Sequence, residues 1–299
     1  MVLITGVVCV AVSCKKDDTI PPRNAVNAAA IETVQTTGIS LPENAPSNPT
    51  DASSSETTSP ATVDLSNETS SDRVPLLLQT DERWSEQSYA GSTIGKAGCG
   101  PTCLSMAGIY LTGNGKYTPA YVAEYADKNG YSSEGEGTNW TLISNGASYL
   151  GLTSAEIPKN KTVMTRLASC GVPIICAVGP GTFTREGHYI VITGTSDGKF
   201  TVNDPNSTEN SSKTYSYEDI ESQIRNAWAI WGERLNCKEF VATQSGINIR
   251  NDSSLDSRVE RLSDETKKFK LDNIVNNGGY VWGHMDDGNW ICMSYVKKA

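Results

Sequence analysis

The chain has 299 residues, too many for one small domain, and carries a formal net charge of −9 at pH 7. That sign removes the electrostatic reason to look for a nucleic-acid partner and disfavours acidic ones. With two histidines and no Cys-x-x-Cys pair, a zinc site is unsupported and no cofactor is expected.

Residues 2–12 form a short apolar run that closes in Ala11-Val12-Ser13-Cys14 and is followed at once by Lys15-Lys16-Asp17-Asp18. The run is too short to span a bilayer comfortably. With a small residue before a cysteine, 1–14 resembles an export signal with a bacterial lipobox, although Ala11 stands where that pattern usually has Leu. The resemblance implies an extracytoplasmic protein that is secreted or held at the membrane only by a lipid on Cys14. From Lys15 to Arg73 there is no Phe, Trp or Tyr, and Ser, Thr, Pro, Asn and Ala dominate. Such a stretch buries too little apolar surface to offset its chain entropy, so 15–73 reads as a disordered tether.

Order is expected from Val74-Pro75-Leu76-Leu77-Leu78-Gln79, a strand-like run. Gly98-Cys99-Gly100-Pro101 then opens a helix that runs through Leu104, Met106 and Ile109 to a stop at Gly113. A thiol at that start meets unpaired N–H groups and the positive dipole end, which favour the nucleophilic thiolate. Thr118-Pro119 starts a second helix that ends near Gly130, Gly137-Thr138-Asn139-Trp140 opens a third that stops at Gly151, and a shorter one follows Thr162. The pattern then turns to strands: 173–178, 188–193 and 199–204, the last two joined by Ser196-Asp197-Gly198. His188 and Asp204 stand sixteen residues apart, at opposite ends of one hairpin, and so side by side. Ser216 caps a further helix, and 227–231 reads as a closing strand. Helices followed by an antiparallel sheet is an α+β arrangement.

Cys-Gly at a helix start with Cys103 four residues on, a His opening one strand and an Asp-Pro closing the next carry a resemblance. Residues 74–235 resemble the papain-like cysteine peptidases related to the bacteriocin-processing, double-glycine-leader enzymes. The resemblance implies a peptide or protein substrate, Cys99 as nucleophile, His188 as base, Asp204 as its orienting carboxylate and a glutamine completing the oxyanion hole. Gln79 matches that glutamine; because residues 80–98 separate it from Cys99, Gln87 is the substitute. Cys103, Cys170 and Cys176 read as packing, and Trp140 reads as core more readily than as cleft wall. Two other functions use the same residues: a Cys-His-Asp acyltransferase of transglutaminase type, and an inactive wall-binding protein. NlpC-type wall hydrolases place a second histidine in the third position, whereas His284 lies in the last segment.

That segment, 237–299, is a series of short apolar strands separated by Asn, Asp, Ser and Gly turns, as in a small β-barrel. Ile247-Asn248-Ile249-Arg250 and the closing Asn289-Trp290-Ile291 with Ser294-Tyr295-Val296 resemble the bacterial SH3-like domain. The resemblance implies peptidoglycan as a partner, a spacer being the alternative. Trp282 and Trp290 are open to either core or binding face.

Overall fold

A computed structural model describes residues 63–70 and 72–299. The expected signal, the lipid on Cys14 and most of the tether lie outside the described residues. Near the end of that tether Leu65 is fully buried and its N–H reaches the Gly115 carbonyl at 3.2 Å, so the packed chain begins before Val74.

Among the described residues the larger part has eight α-helices: α1 (Ile94–Ala97), α2 (Cys99–Thr112), α3 (Pro119–Lys128), α4 (Thr141–Tyr149), α5 (Lys161–Ser169), α6 (Thr208–Ser211), α7 (Tyr217–Ile220) and α8 (Glu233–Asn236). Its strands are β1 (Ser88–Tyr89), β2 (Ser92–Thr93), β3 (Ser132–Ser133), β4 (Gly137–Thr138), β5 (Thr153–Glu156), β6 (Ile174–Val178), β7 (His188–Ser196), β8 (Lys199–Asn203), β9 (Thr214–Tyr215) and β10 (Ile224–Trp231). Six of them form one antiparallel sheet in the order β5-β10-β6-β7-β8-β9, against which the helices pack. This is the expected mixture of helices and antiparallel sheet.

Helix α2 is buried from Gly100 to Leu111, as a central helix must be, and ends at Gly113 in the left-handed conformation (φ 78°). Thr118 caps α3 through its side chain, with Pro119 in the first turn. The cap of α5 is Asn160, which accepts from the Thr162 and Val163 N–H groups, so this helix starts just ahead of the expected Thr162.

Three expectations are corrected. The run 74–78 pairs with no strand; it is an extended segment held by Asn203 Nδ2, which donates to the Val74 and Pro75 carbonyls. The strand containing 227–231 does not close the sheet but lies inside it, between β5 and β6. Trp140 is half exposed, not core, its ring set edge-on to Trp228.

The last part contains β11 (Phe240–Ala242), β12 (Asn248–Arg250), β13 (Val259–Leu262), β14 (Leu271–Asn277), β15 (Tyr280–Met285), β16 (Trp290–Cys292) and β17 (Val296–Lys298). Short strands separated by turns are present, but the longest, β14, runs from Leu271 to Asn277, beyond the apolar run 269–271. They form a five-stranded sheet, β13-β12-β16-β15-β14, and a separate β11-β17 pair; among the described residues the ladder does not close into a barrel. The apolar core continues from the larger part into this one. The Trp231 and Phe240 rings lie 6.1 Å apart, Cys170 Sγ is 3.7 Å from the Val296 carbonyl, and Asn276 Nδ2 donates to the Glu156 carbonyl at 2.6 Å.

Candidate active site

Helices α1 and α2 are separated at Gly98 (φ −86°, ψ 19°), where a Cβ would sit 2.6 Å from both the carbonyl oxygen and Cγ2 of Ile94. The break makes Cys99 the first residue of α2. In a continuous helix the Gly95 carbonyl would accept the Cys99 N–H; here it accepts Gln79 Nε2 at 3.0 Å. The Cys99 N–H is therefore one of the first-turn donors that no intrahelical acceptor can satisfy. Thr138 presses on the next residue: a Cβ at Gly100 would lie 2.5 Å from Thr138 Cγ2 and 2.6 Å from its Oγ1. Thr138 is held in turn by Tyr89 Oη at 2.7 Å and by Tyr189 Oη, which donates to the Thr138 carbonyl at 3.2 Å.

Gln79 reaches this point although residues 80–98 intervene, because they fold into a compact excursion. Trp84 is buried and donates Nε1 to the Leu78 carbonyl at 2.8 Å, while the Ile94 N–H returns to the Gln87 carbonyl at 2.9 Å. Gln79 N–H also donates to the Pro205 carbonyl at 2.7 Å, which ties it to the residue after Asp204. The side chain is 3% exposed, and its Oε1 is the buried side-chain oxygen left without a partner among the described residues. Gln87 is elsewhere: its Nε2 points back to the Arg83 carbonyl at 3.4 Å.

His188 opens β7 and Asp204 follows the end of β8. Val191 stands opposite Asn203, so one further step sets Asp204 beside Ile190, on the same face as His188 two residues along. The ring's Nε2 and Asp204 Oδ1 are 2.8 Å apart, with both side chains buried. Burial opposes charge on His188, but hydrogen bonds to Asp204 and to Cys99, and the negative charge of both, raise its pKa to about 9. Since Nε2 is taken by Asp204, Nδ1 is the nitrogen left for the Cys99 sulfur. Burial would raise the Asp204 carboxyl, yet hydrogen bonds from His188 and Asn210 outweigh it and hold the pKa below the usual 3.8. Oδ1 also takes the Asn206 N–H at 2.9 Å, and Oδ2 takes Asn210 Nδ2 at 2.7 Å.

Asn210 and Thr138 were not singled out from sequence. The signal for Asn210 is Ser207, which caps α6 by accepting the Asn210 N–H at 3.0 Å and so turns the chain back over the Asp-Pro step. The other cysteines of this part are packing, as expected: burial lifts the Cys103 thiol well above its ordinary pKa, and those of Cys170 and Cys176 to about 12. No group of three or more His, Cys, Asp or Glu side chains placed to hold a metal occurs among the described residues.

Residues 71–235, more than half of the chain, match the sequence model of the Peptidase_C39 like family. The chain belongs to this family. As a C39-like protein it is a cysteine-type peptidase, a hydrolase acting on peptide or protein substrates. Among solved structures it is similar to the peptidase domain of Streptococcus ComA, described as a bi-functional ABC transporter involved in a quorum-sensing pathway. That match has 23% identity and a TM-score of 0.37, and covers 46% of this chain and 93% of that one. A C39-like peptidase from Bacillus anthracis matches at 15% identity and a TM-score of 0.37, over 57% of this chain and 98% of the other. The Streptococcus mutans ComA peptidase domain in complex with a small-molecule inhibitor matches at 26% identity and a TM-score of 0.26, over 33% and 77%. No curated protein matches the chain.

Proposed function

We propose that this C39-like peptidase cleaves peptide bonds with Cys99 as nucleophile, His188 as general base and acid, Asp204 as the carboxylate that orients His188, and Gln79 as an oxyanion donor. The observation that carries the reading is the buried His188–Asp204 pair at 2.8 Å, set against a cysteine that starts a helix. The Cys99 thiol gives its proton to His188, and the sulfur attacks the scissile carbonyl carbon. The resulting oxyanion takes the Cys99 N–H and the second N–H of the Gln79 amide, the first being held by Gly95. Collapse breaks the C–N bond as the His188 imidazolium protonates the leaving amine. Water, deprotonated by His188, then attacks the thioester and releases the acid and Cys99.

The wider setting belongs to the same proposal: the enzyme is exported, held by a lipid on Cys14, and directed to the cell wall by an SH3-like segment at 237–299. The resemblances in 1–14 and 247–296 support this setting. The test is a set of single variants assayed on a peptide library and on isolated sacculi. Cys99→Ala and His188→Ala should each abolish hydrolysis with folding intact, while Cys103→Ala retains it. Equal loss from both cysteine variants would overturn the assignment, and incorporation of an added amine instead of hydrolysis would make the enzyme an acyltransferase.

A further inference from the structure

A second group of chemically capable side chains lies far along the sequence from Cys99, in the last sheet. Asn273 on β14 stands opposite His284 on β15, and His284 stands opposite Trp290 on β16, so the three form one cross-strand row on one face. The register between β14 and β15 slips between Leu271 and Asn273, making Asp272 the extra residue of a β-bulge. Bulges re-aim side chains, and this one brings Asp272 Oδ1 to 2.6 Å from His284 Nδ1. The His284 ring lies 4.6 Å from that of Trp290, tilted by 53°. Thr153, the first residue of β5, also lines the open, shallow cleft of about 460 Å³ beside this row. The two tryptophans left open by the sequence separate here: Trp282 is 1% exposed and core, whereas Trp290 is half-buried and lines the cleft.

The lining selects a class of ligand. It holds no Lys or Arg, so it offers no fork for a carboxylate or phosphate. Apart from Trp290 it has no large apolar side chain, which leaves a lipid tail or an apolar peptide side chain without a pocket. The row of Asn273, His284 and Trp290 lies on the face of the sheet, in which β15 and β16 are paired on both sides and β14 forms the edge. What remains is one aromatic surface ringed by mixed donors and acceptors: Asp272 Oδ2, His284 Nε2, the Asn273 amide and the Thr153 hydroxyl. Vicinal hydroxyls on a ring with an apolar C–H face match that set. We infer that the Thr153–Asp272–Asn273–His284–Trp290 cleft is a binding site for a neutral, hydroxyl-rich sugar ring.

This site deepens the wall-directed part of the proposed function and rests on it only for where such a sugar would be met. The experiment titrates the full chain with chitotetraose and cellotetraose by tryptophan fluorescence and calorimetry, beside retention on intact sacculi. Saturable binding of one tetrasaccharide is expected, weakened about tenfold or more by Trp290→Ala and by Asp272→Ala. Asp272 is half exposed on its side chain, so its variant keeps the fold and guards against a Trp290→Ala chain that unfolds. Absence of saturable binding to either sugar, or binding untouched by Asp272→Ala and by a folded Trp290→Ala, overturns the site. Binding of a wall tetrapeptide at this cleft in place of the sugars overturns the ligand class. Retention on sacculi that survives both variants leaves wall targeting standing and removes the cleft from it; sugar binding without retention does the reverse.

Discussion

Asp204 carries the strongest consequences at the scale of single residues. Both of its oxygens are engaged, by His188 and the Asn206 N–H on one side and by Asn210 on the other, so the carboxylate has one orientation and imposes one tautomer on the ring. Asp204→Asn should leave the wrong tautomer and lower kcat by about 10⁴-fold, the size seen where the same exchange was made in a serine triad. Asn210→Ala removes a hydrogen bond to a charged group, worth about 1.5–3 kcal/mol, and should lower kcat roughly ten- to a hundredfold with KM nearly unchanged. A pH–rate series separates the Asp204 effect from simple destabilisation. With the His188 pKa raised to about 9, the rate should fall on an alkaline limb near pH 9, and that limb should move down in Asp204→Asn, which takes the negative charge away from the ring. The effect on stability has a definite sign. The raised His188 contributes stability that is complete below its ordinary 6.5 and lost as pH rises through about 9. The lowered Asp204 contributes stability that is present above 3.8 and lost as pH falls through its lower folded value.

At the scale of elements, the break at Gly98 and the β3–β4 hairpin decide whether Cys99 starts a helix in the right place. Gly100→Ala sets a methyl group against Thr138, so either the hairpin or the helix start must shift. Overpacking of this kind costs about 1–3 kcal/mol. The expected outcome is a folded protein with a modestly lower Tm and a disproportionate loss of kcat; a variant with wild-type kcat would show that Thr138 does not fix the site. The helix start was legible because Gly-Cys-Gly-Pro is a local signal, and the His188–Asp204 pair because a hairpin's length sets its register. Other features are set by pairing and left no such trace. Strand β5, Thr-Ser-Ala-Glu, is short and mostly polar, and becomes a strand only because β10 lies beside it. The place of β10 inside the sheet follows from chain crossings that periodicity does not record, and the apolar run 74–78 buries Val74 and Leu77, leaves Leu76 exposed and gives carbonyls to Asn203. Gln79 was legible as a residue, but its route past 80–98 depends on Trp84, whose burial no spacing announces.

At the scale of the molecule, the apolar continuity between the larger part and 237–299 bears on truncation. Phe240, Met293 and Val296 are fully buried, and Val296 lies over Cys170. A chain ending at residue 235 should therefore melt well below the full chain by calorimetry. Because it keeps Cys99, His188, Asp204 and Gln79, it should still hydrolyse a soluble peptide below its own Tm and lag on sacculi. An unchanged Tm would mean that the two parts fold independently. The arrangement of Cys99 beside His188 is best tested by alkylation: the full chain is treated with limiting iodoacetamide near neutral pH, and modified peptides are located by mass spectrometry as residual activity is followed. Cys99 should be modified first, activity should fall in proportion to its modification, and His188→Ala should slow the reaction. Modification of Cys99 to completion with activity intact, or inactivation that tracks another cysteine, would contradict the assignment.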